Sequence, residues 1–200
     1  MKSVLISIQP KWCELIASGK KTVEVRKTKP KLETPFKVRI YCTKYDKNLI
    51  KDDISTTIDF VAVNGGKVIG EFVCKRIGFY GYDQAFDESM GCFIDKYGYD
   101  ITYMDLGRTC LSYEEFESYG NTQNLYGWHI SDLVIYDKPR ELSEFYHYCG
   151  DNPKCDGCEA HYFSNTECGK EDYCCSPIEG CKPLKRPPQS WCYVESEDTE

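Results

Sequence analysis

Residues 4–8, Val-Leu-Ile-Ser-Ile, form a nearly unbroken apolar run of the length expected for a buried strand. Gln9-Pro10 then opens a short helix over residues 11–18, with Trp12, Leu15 and Ile16 at helical spacing, and Gly19 stops it. From Thr22 to Thr28 the pattern changes to alternation, the period of a half-buried strand. Val23 and Val25 are expected to face the core, and Thr22, Glu24 and Arg26 to share the opposite face, with Lys21 at the turn leading in. A Lys- and Pro-rich loop precedes another alternating strand over residues 36–43, whereas residues 44–62 show no period and are expected to be irregular. Asn64-Gly65-Gly66 is a tight-turn signal before a strand over residues 67–74. Residues 78–108, rich in Gly and Tyr, give no assignment and suggest a long loop. Ser112-Tyr113-Glu114-Glu115 has the capping-box pattern and predicts a helix ending near Gly120. Strands over 125–130 and 133–136 follow, then a turn at Asp137-Lys138-Pro139-Arg140 towards Leu142 and Phe145. Many short strands with two helices in the loops predict an α+β fold, a small mixed β-barrel.

After Tyr148 the composition shifts abruptly to Cys, Gly, Asn and Asp. The pattern therefore divides the chain into a barrel over residues 1–148, a Cys-rich insert over 149–185, and a return strand with an acidic tail over 186–200. No apolar run approaches the roughly 18 residues of a membrane span, and the N-terminus leads into a strand and not into a signal-peptide core. The expected location is cytoplasmic, without a membrane partner.

The formal net charge of -7 is unevenly spread. Residues 1–51 hold 13 Lys and Arg against 4 Asp and Glu, a net of +9, and the remaining 149 residues carry -16. Broad non-specific grip on nucleic acid is thus disfavoured, while a local basic patch in the N-terminal quarter is open, as is the alternative of solvated surface lysines.

Gly19-Lys20-Lys21-Thr22-Val23-Glu24-Val25-Arg26 follows the pattern G-x-K-x-x-E-x-R. Lys21 offers a mobile cation suited to phosphate, Arg26 a planar fork for phosphate or a base edge, and Glu24 an acceptor for an exocyclic amine or a brace between two cations. A structural salt-bridge network with no ligand uses the same residue types. The full pattern resembles the signature of the ASCH family, a branch of the PUA-like superfamily, and so do its place after a strand and short helix and the later Leu125-Tyr126-Gly127-Trp128-His129 segment. The ending Arg186-Pro187-Pro188-Gln189-Ser190-Trp191-Cys192-Tyr193-Val194 is similar to that of a bacterial or phage subgroup. The resemblance implies a PUA-like barrel and a cleft that binds RNA or a modified, nucleotide-like ligand, with Lys21, Thr22, Glu24, Arg26, Trp128 and His129 as candidate ligand-binding residues.

Some proteins of this resemblance are hydrolases: small bacterial acetylcytidine amidohydrolases use a lysine at the place matched by Lys21, with a threonine and a glutamate. Here Glu24 takes the threonine's place, where it would raise the lysine pKa, and the second acid is not fixed; Glu71, Glu114 and Glu115 are candidates. Lys21 is the catalytic residue only if the chain is an amidohydrolase or nuclease acting on a modified nucleoside or RNA. A third alternative is a non-enzymatic adaptor that contacts a protein partner through the acidic half. His129, His147 and His161 are too scattered to assemble a catalytic constellation, and no Walker loop, dinucleotide fingerprint or H-E-x-x-H helix is present. Trp128 reads as barrel core or as a base-stacking platform.

Of 13 cysteines, eight fall in residues 149–192. Cys155-x-x-Cys158 has the bite with which two thiolates ligate one tetrahedral metal, and Cys174, Cys175 and Cys181 supply a second pair. Cys149, His161 and Cys168 are further candidates. Few large apolar residues are present in the insert, so structural zinc is expected in place of a core, with disulfides or metal-free thiols as the competitors. Most of the dispersed Cys13, Cys42, Cys74, Cys92 and Cys110 read as small buried hydrophobes.

Overall fold

The computed structural model describes residues 2–44, 55–80, 85–87, 92–94, 106–148 and 183–195. Strand β1 (Lys2–Ile8) leads into helix α1 (Pro10–Ala17), whose Pro10 occupies the first turn, where a missing N–H costs nothing. Gly19 follows at φ +75°, a left-handed conformation that stops the helix and turns the chain into β2 (Val23–Arg26). Next come β3 (Phe36–Cys42), α2 (Ser55–Asn64), β4 (Lys67–Tyr80), β5 (Ala85–Asp87) and β6 (Cys92–Ile94). The described chain continues with α3 (Leu106–Thr109), α4 (Tyr113–Gly120), β7 (Leu125–Glu141) and β8 (Trp191–Glu195).

Six strands form one mixed sheet in the order β2-β7-β4-β3-β1-β8, and β5 pairs with β6 alone. β1 and β3 are parallel; all other pairs are antiparallel. The main core lies on the inner face: Ile6, Ile8, Val38, Ile40, Phe72 and Trp128 pack together, with α1 contributing Cys13 and Ile16. On the outer face, Leu5, Tyr41, Val68, Leu142, Phe145, Leu184 and Val194 form a second cluster. A third, of Val23, Val25, Tyr80, Phe116 and Leu125, lies under α4.

The sheet departs from the expected closed barrel. Among the described residues no backbone ladder joins β2 to β8, so the ring stays open there. Side chains bridge the opening instead: Trp191 Nε1 donates to Thr28 Oγ1 at 2.9 Å, and the Lys31 N–H donates to the Tyr193 hydroxyl at 2.8 Å. Buried Arg26 of β2 also reaches across, donating to the carbonyl oxygen of Ser7 on β1.

Three other expectations change. Residues 55–64, expected irregular, are helical; Thr56, Thr57, Ile58, Val61 and Val63 are β-branched and hide the helix from propensity. β4 runs beyond residue 74 to Tyr80, passing register shifts between Val68 and Ile77 that break a simple alternation. The two strands and the turn expected over 125–140 are one strand, β7, kinked at Asp132 with φ +48°. Pro139 is tolerated because β2 pairs only with Tyr126 to His129, so one edge of β7 is open at the proline among the described residues. The expected capping box is present, with Ser112 and Glu115 bonded reciprocally. Residues 149–182, almost all of the Cys-rich insert, lie outside the described residues, as does most of the 78–108 segment.

Candidate functional site

β2 is buried along its whole length, which an amphipathic strand would not be. Its register with β7 explains why. Glu24 stands opposite Trp128 and Arg26 opposite Tyr126, so these four side chains share the inner face, while Val23 and Val25 turn outward under α4. The alternation and the core-facing valines are as expected, Val23 and Val25 packing in the cluster under α4; the opposite face, with Glu24 and Arg26, is buried as well, so the strand is not half-buried.

Lys21, Glu24 and Arg26 are 2%, 5% and 8% exposed. Arg26 Nη2 lies 2.9 Å from Glu24 Oε1 and donates at 2.6 Å to the carbonyl oxygen of Ser7 on β1. Lys21 Nζ is 3.5 Å from Glu24 Oε2, donates to the carbonyl oxygen of Thr109 at 2.5 Å, and sits 5.1 Å from the Trp12 ring centroid. The turn after α1 fixes this lysine, with the Lys21 N–H donating to Leu15 at 2.9 Å. Thr109 ends α3, so its carbonyl is one that the helix leaves unbonded.

Two cations and one anion leave a buried excess of positive charge. Burial pulls the Lys21 ammonium below its usual 10.5, opposed by Glu24 and Cys110 and reinforced by Arg26. Glu24 Oε2, Arg26 Nε and Trp128 Nε1 are buried without a hydrogen-bond partner. Arg26 Nε thus keeps an unused donor, and Glu24 Oε2 an acceptor engaged only by the 3.5 Å ion pair with Lys21, within one buried polar cluster.

Other expected site residues divide. Thr22 is held through its backbone, donating to Arg108 and accepting from Ile130, at 3.0 and 2.9 Å. Trp128 is fully buried, edge-on to Phe36 with centroids 5.8 Å apart, so it is core and offers no open stacking face. His129 points to the opposite side of the sheet, 3.2 Å from Arg76, and is not among the chamber residues; burial, with Arg76 and Arg108, lowers its pKa to about 4. Glu71 binds Lys37 at 3.3 Å and the Tyr136 hydroxyl at 2.9 Å, and Glu115 is taken by its capping box and by Lys11. Glu114 is exposed on α4. None of the three is placed beside Lys21 by these contacts.

A hollow of about 350 Å³ over Tyr41, Thr43, Lys44, Leu142 and Lys185 involves the outer cluster and none of the chamber residues. Cys155, Cys158, Cys174, Cys175 and Cys181 lie outside the described residues, and among the described residues no three His, Cys, Asp or Glu side chains converge. No described helix is long and apolar enough to cross a membrane. Ser7, Trp12 and Thr109 join the chamber without a warning in the sequence; two of them act through carbonyl oxygens, which every residue type carries.

Comparison with curated proteins returns no match. Among solved structures, the chain is similar to an ASCH protein from Zymomonas mobilis, with 21% identity over 70% of this chain and 73% of that one and a TM-score of 0.45. Two point variants of the same protein give 21% identity and TM-scores of 0.45, covering 71% and 70% of this chain and 77% and 74% of theirs. The sequence pattern that defines the ASCH domain matches residues 6–145, well over half of the sequence, and the chain belongs to the ASCH domain family.

Proposed function

We propose that the chain binds RNA or a modified nucleotide, with the Lys21, Glu24 and Arg26 chamber as the recognising centre. The observation that carries this is Arg26 Nε, buried with no hydrogen-bond partner, beside Glu24 Oε2, which is buried and held only by its 3.5 Å ion pair with Lys21. A nucleotide supplies what they lack: a phosphate or carbonyl acceptor for the guanidinium and an exocyclic amine for the carboxylate. The three charged side chains are almost fully buried, which favours a single inserted nucleotide over a long duplex lying across the surface. The strongly basic N-terminal quarter adds long-range attraction.

The test is binding of a fluorescein-labelled oligouridylate by the purified chain, measured by anisotropy beside thermal melts. Lys21→Gln and Arg26→Gln are each expected to weaken binding at least tenfold while a folded melt remains. Unchanged affinity in both folded variants overturns the reading.

A second reading is favoured by one observation. Burial lowers the Lys21 pKa, which enlarges the neutral amine fraction that a base or nucleophile needs. Hydrolysis of a modified nucleoside would then be lost in Lys21→Gln while binding persisted. For the Cys-rich segment we propose structural zinc, supported by the Cys155-x-x-Cys158 bite.

A further inference from the structure

Across β2, β7 and β4, Arg26, Tyr126 and Phe79 stand directly opposite one another. Directly opposed residues of antiparallel strands project to the same face, so these three side chains form one row on the inner side of the sheet. The neighbouring row two residues along, Glu24, Trp128 and Ile77, runs into the main core. The Arg26 row is therefore the rim. Exposure rises along it, from 8% at Arg26 through a half-buried Tyr126 to 49% at Phe79. The Phe79 and Tyr126 rings lie 5.6 Å apart at 53°, and Lys29 Nζ sits 5.7 Å from the Tyr126 centroid.

An exposed phenylalanine backed by a second ring, with a cation above that ring, leaves planar apolar surface in water next to positive charge. A free aromatic pair alone would fit many partners. Here the charge decides: Lys29 and Arg26 flank the rings, and they belong to the N-terminal segment of net +9. A partner that brings a flat π face and a negative charge together is an unpaired base on its phosphodiester. We infer that Phe79 and Tyr126 form a stacking platform for one unpaired base of single-stranded RNA, beside the chamber that holds Arg26. This rests on the nucleotide-binding reading above and extends it to the residues that hold the base. Duplex RNA buries its base faces in its own stack, so the platform selects single strands.

The experiment measures anisotropy of a fluorescein-labelled twelve-residue oligouridylate, and of an RNA hairpin of equal length, at several salt concentrations with the full chain. Phe79→Leu keeps apolar volume and removes the ring; it is expected to weaken oligouridylate binding about 5- to 100-fold without changing the salt slope. Phe79→Trp is expected to retain or strengthen binding, and Lys29→Gln to flatten the salt slope. If Phe79→Leu and Tyr126→Leu, folded by their melts, bind like the wild type while Arg26→Gln is weak, the platform is wrong and the chamber stands. Should the wild type prefer the hairpin, or bind neither probe, the platform is also overturned, in the last case together with the nucleotide reading.

Discussion

Arg26 Nη2 donates to the carbonyl oxygen of Ser7 at 2.6 Å, joining the last residue of β2 to β1 where no ladder runs. The same nitrogen lies 2.9 Å from Glu24, so one guanidinium both bridges the opening of the sheet and neutralises a buried carboxylate. The open sheet and the buried polar cluster thus meet at one residue, Arg26, which spans the place of the missing ladder.

Replacing Arg26 by Met should leave the Glu24 carboxyl group buried and facing only Lys21, and should remove the Arg26 donor from the Ser7 carbonyl. Removing one partner of a buried pair costs about 3–5 kcal/mol. The urea midpoint is therefore expected to fall by about 1–2 M. A drop of a few tenths of a molar would mean that water already reaches the chamber and that the pair is only a surface contact.

The pH dependence at Lys21 has a definite sign. Its folded pKa is depressed below 10.5 by burial, so between the folded value and 10.5 the unfolded chain keeps a proton that the folded chain has released. Stability then rises with pH in that window, because the unfolded state binds more protons. Wild type should gain on a Lys21→Met variant as pH rises from 7 to 10, measured by paired urea titrations. A constant difference across that range would show that the ammonium is not penalised by burial.

Much of this was legible in advance because it rests on local rules. The alternation from Val23 to Arg26 and the Ser112–Glu115 capping box both depend on neighbours in sequence. That the charged face of β2 is buried as well was not legible, since it depends on pairing with Trp128 more than a hundred residues away. The same holds for Trp128 itself, whose side chain became core through Phe36 and not through anything beside it in the chain. Thr109 and Ser7 contribute carbonyl oxygens, which leave no trace in residue type.

His129 should titrate near pH 4, well below the usual 6.5, because burial and the neighbouring Arg76 and Arg108 oppose its charge. As pH falls from 6.5 towards 4, the unfolded chain takes up the proton first, so stability present above that window is lost through it. The proton NMR shift of the imidazole across pH 3–8 checks the value directly, and a His129→Gln variant should flatten the stability profile in the same range. A midpoint near 6.5 would mean that the arginines lie further away in solution.

The described residues on either side of 149–182 are neighbours: Tyr146 bridges Pro183, and the Leu184 N–H donates to Phe145 at 2.8 Å. Leu184 and Phe145 are both buried in the outer cluster, so among the described residues these ends are held by apolar packing. Loop closure entropy grows only slowly with length, by roughly 0.6 kcal/mol per doubling. Replacing residues 150–181 by a short Gly-Ser loop is therefore expected to leave the barrel folded, with its melt within a few degrees of the wild type. Zinc should behave differently in the two proteins: about one ion per wild-type chain if four thiolates close a tetrahedral site, and none in the shortened one, by elemental mass spectrometry of protein purified without added metal. A metal-free wild type would remove zinc from the account, and an unfolded shortened chain would show that the cysteines support the outer cluster after all.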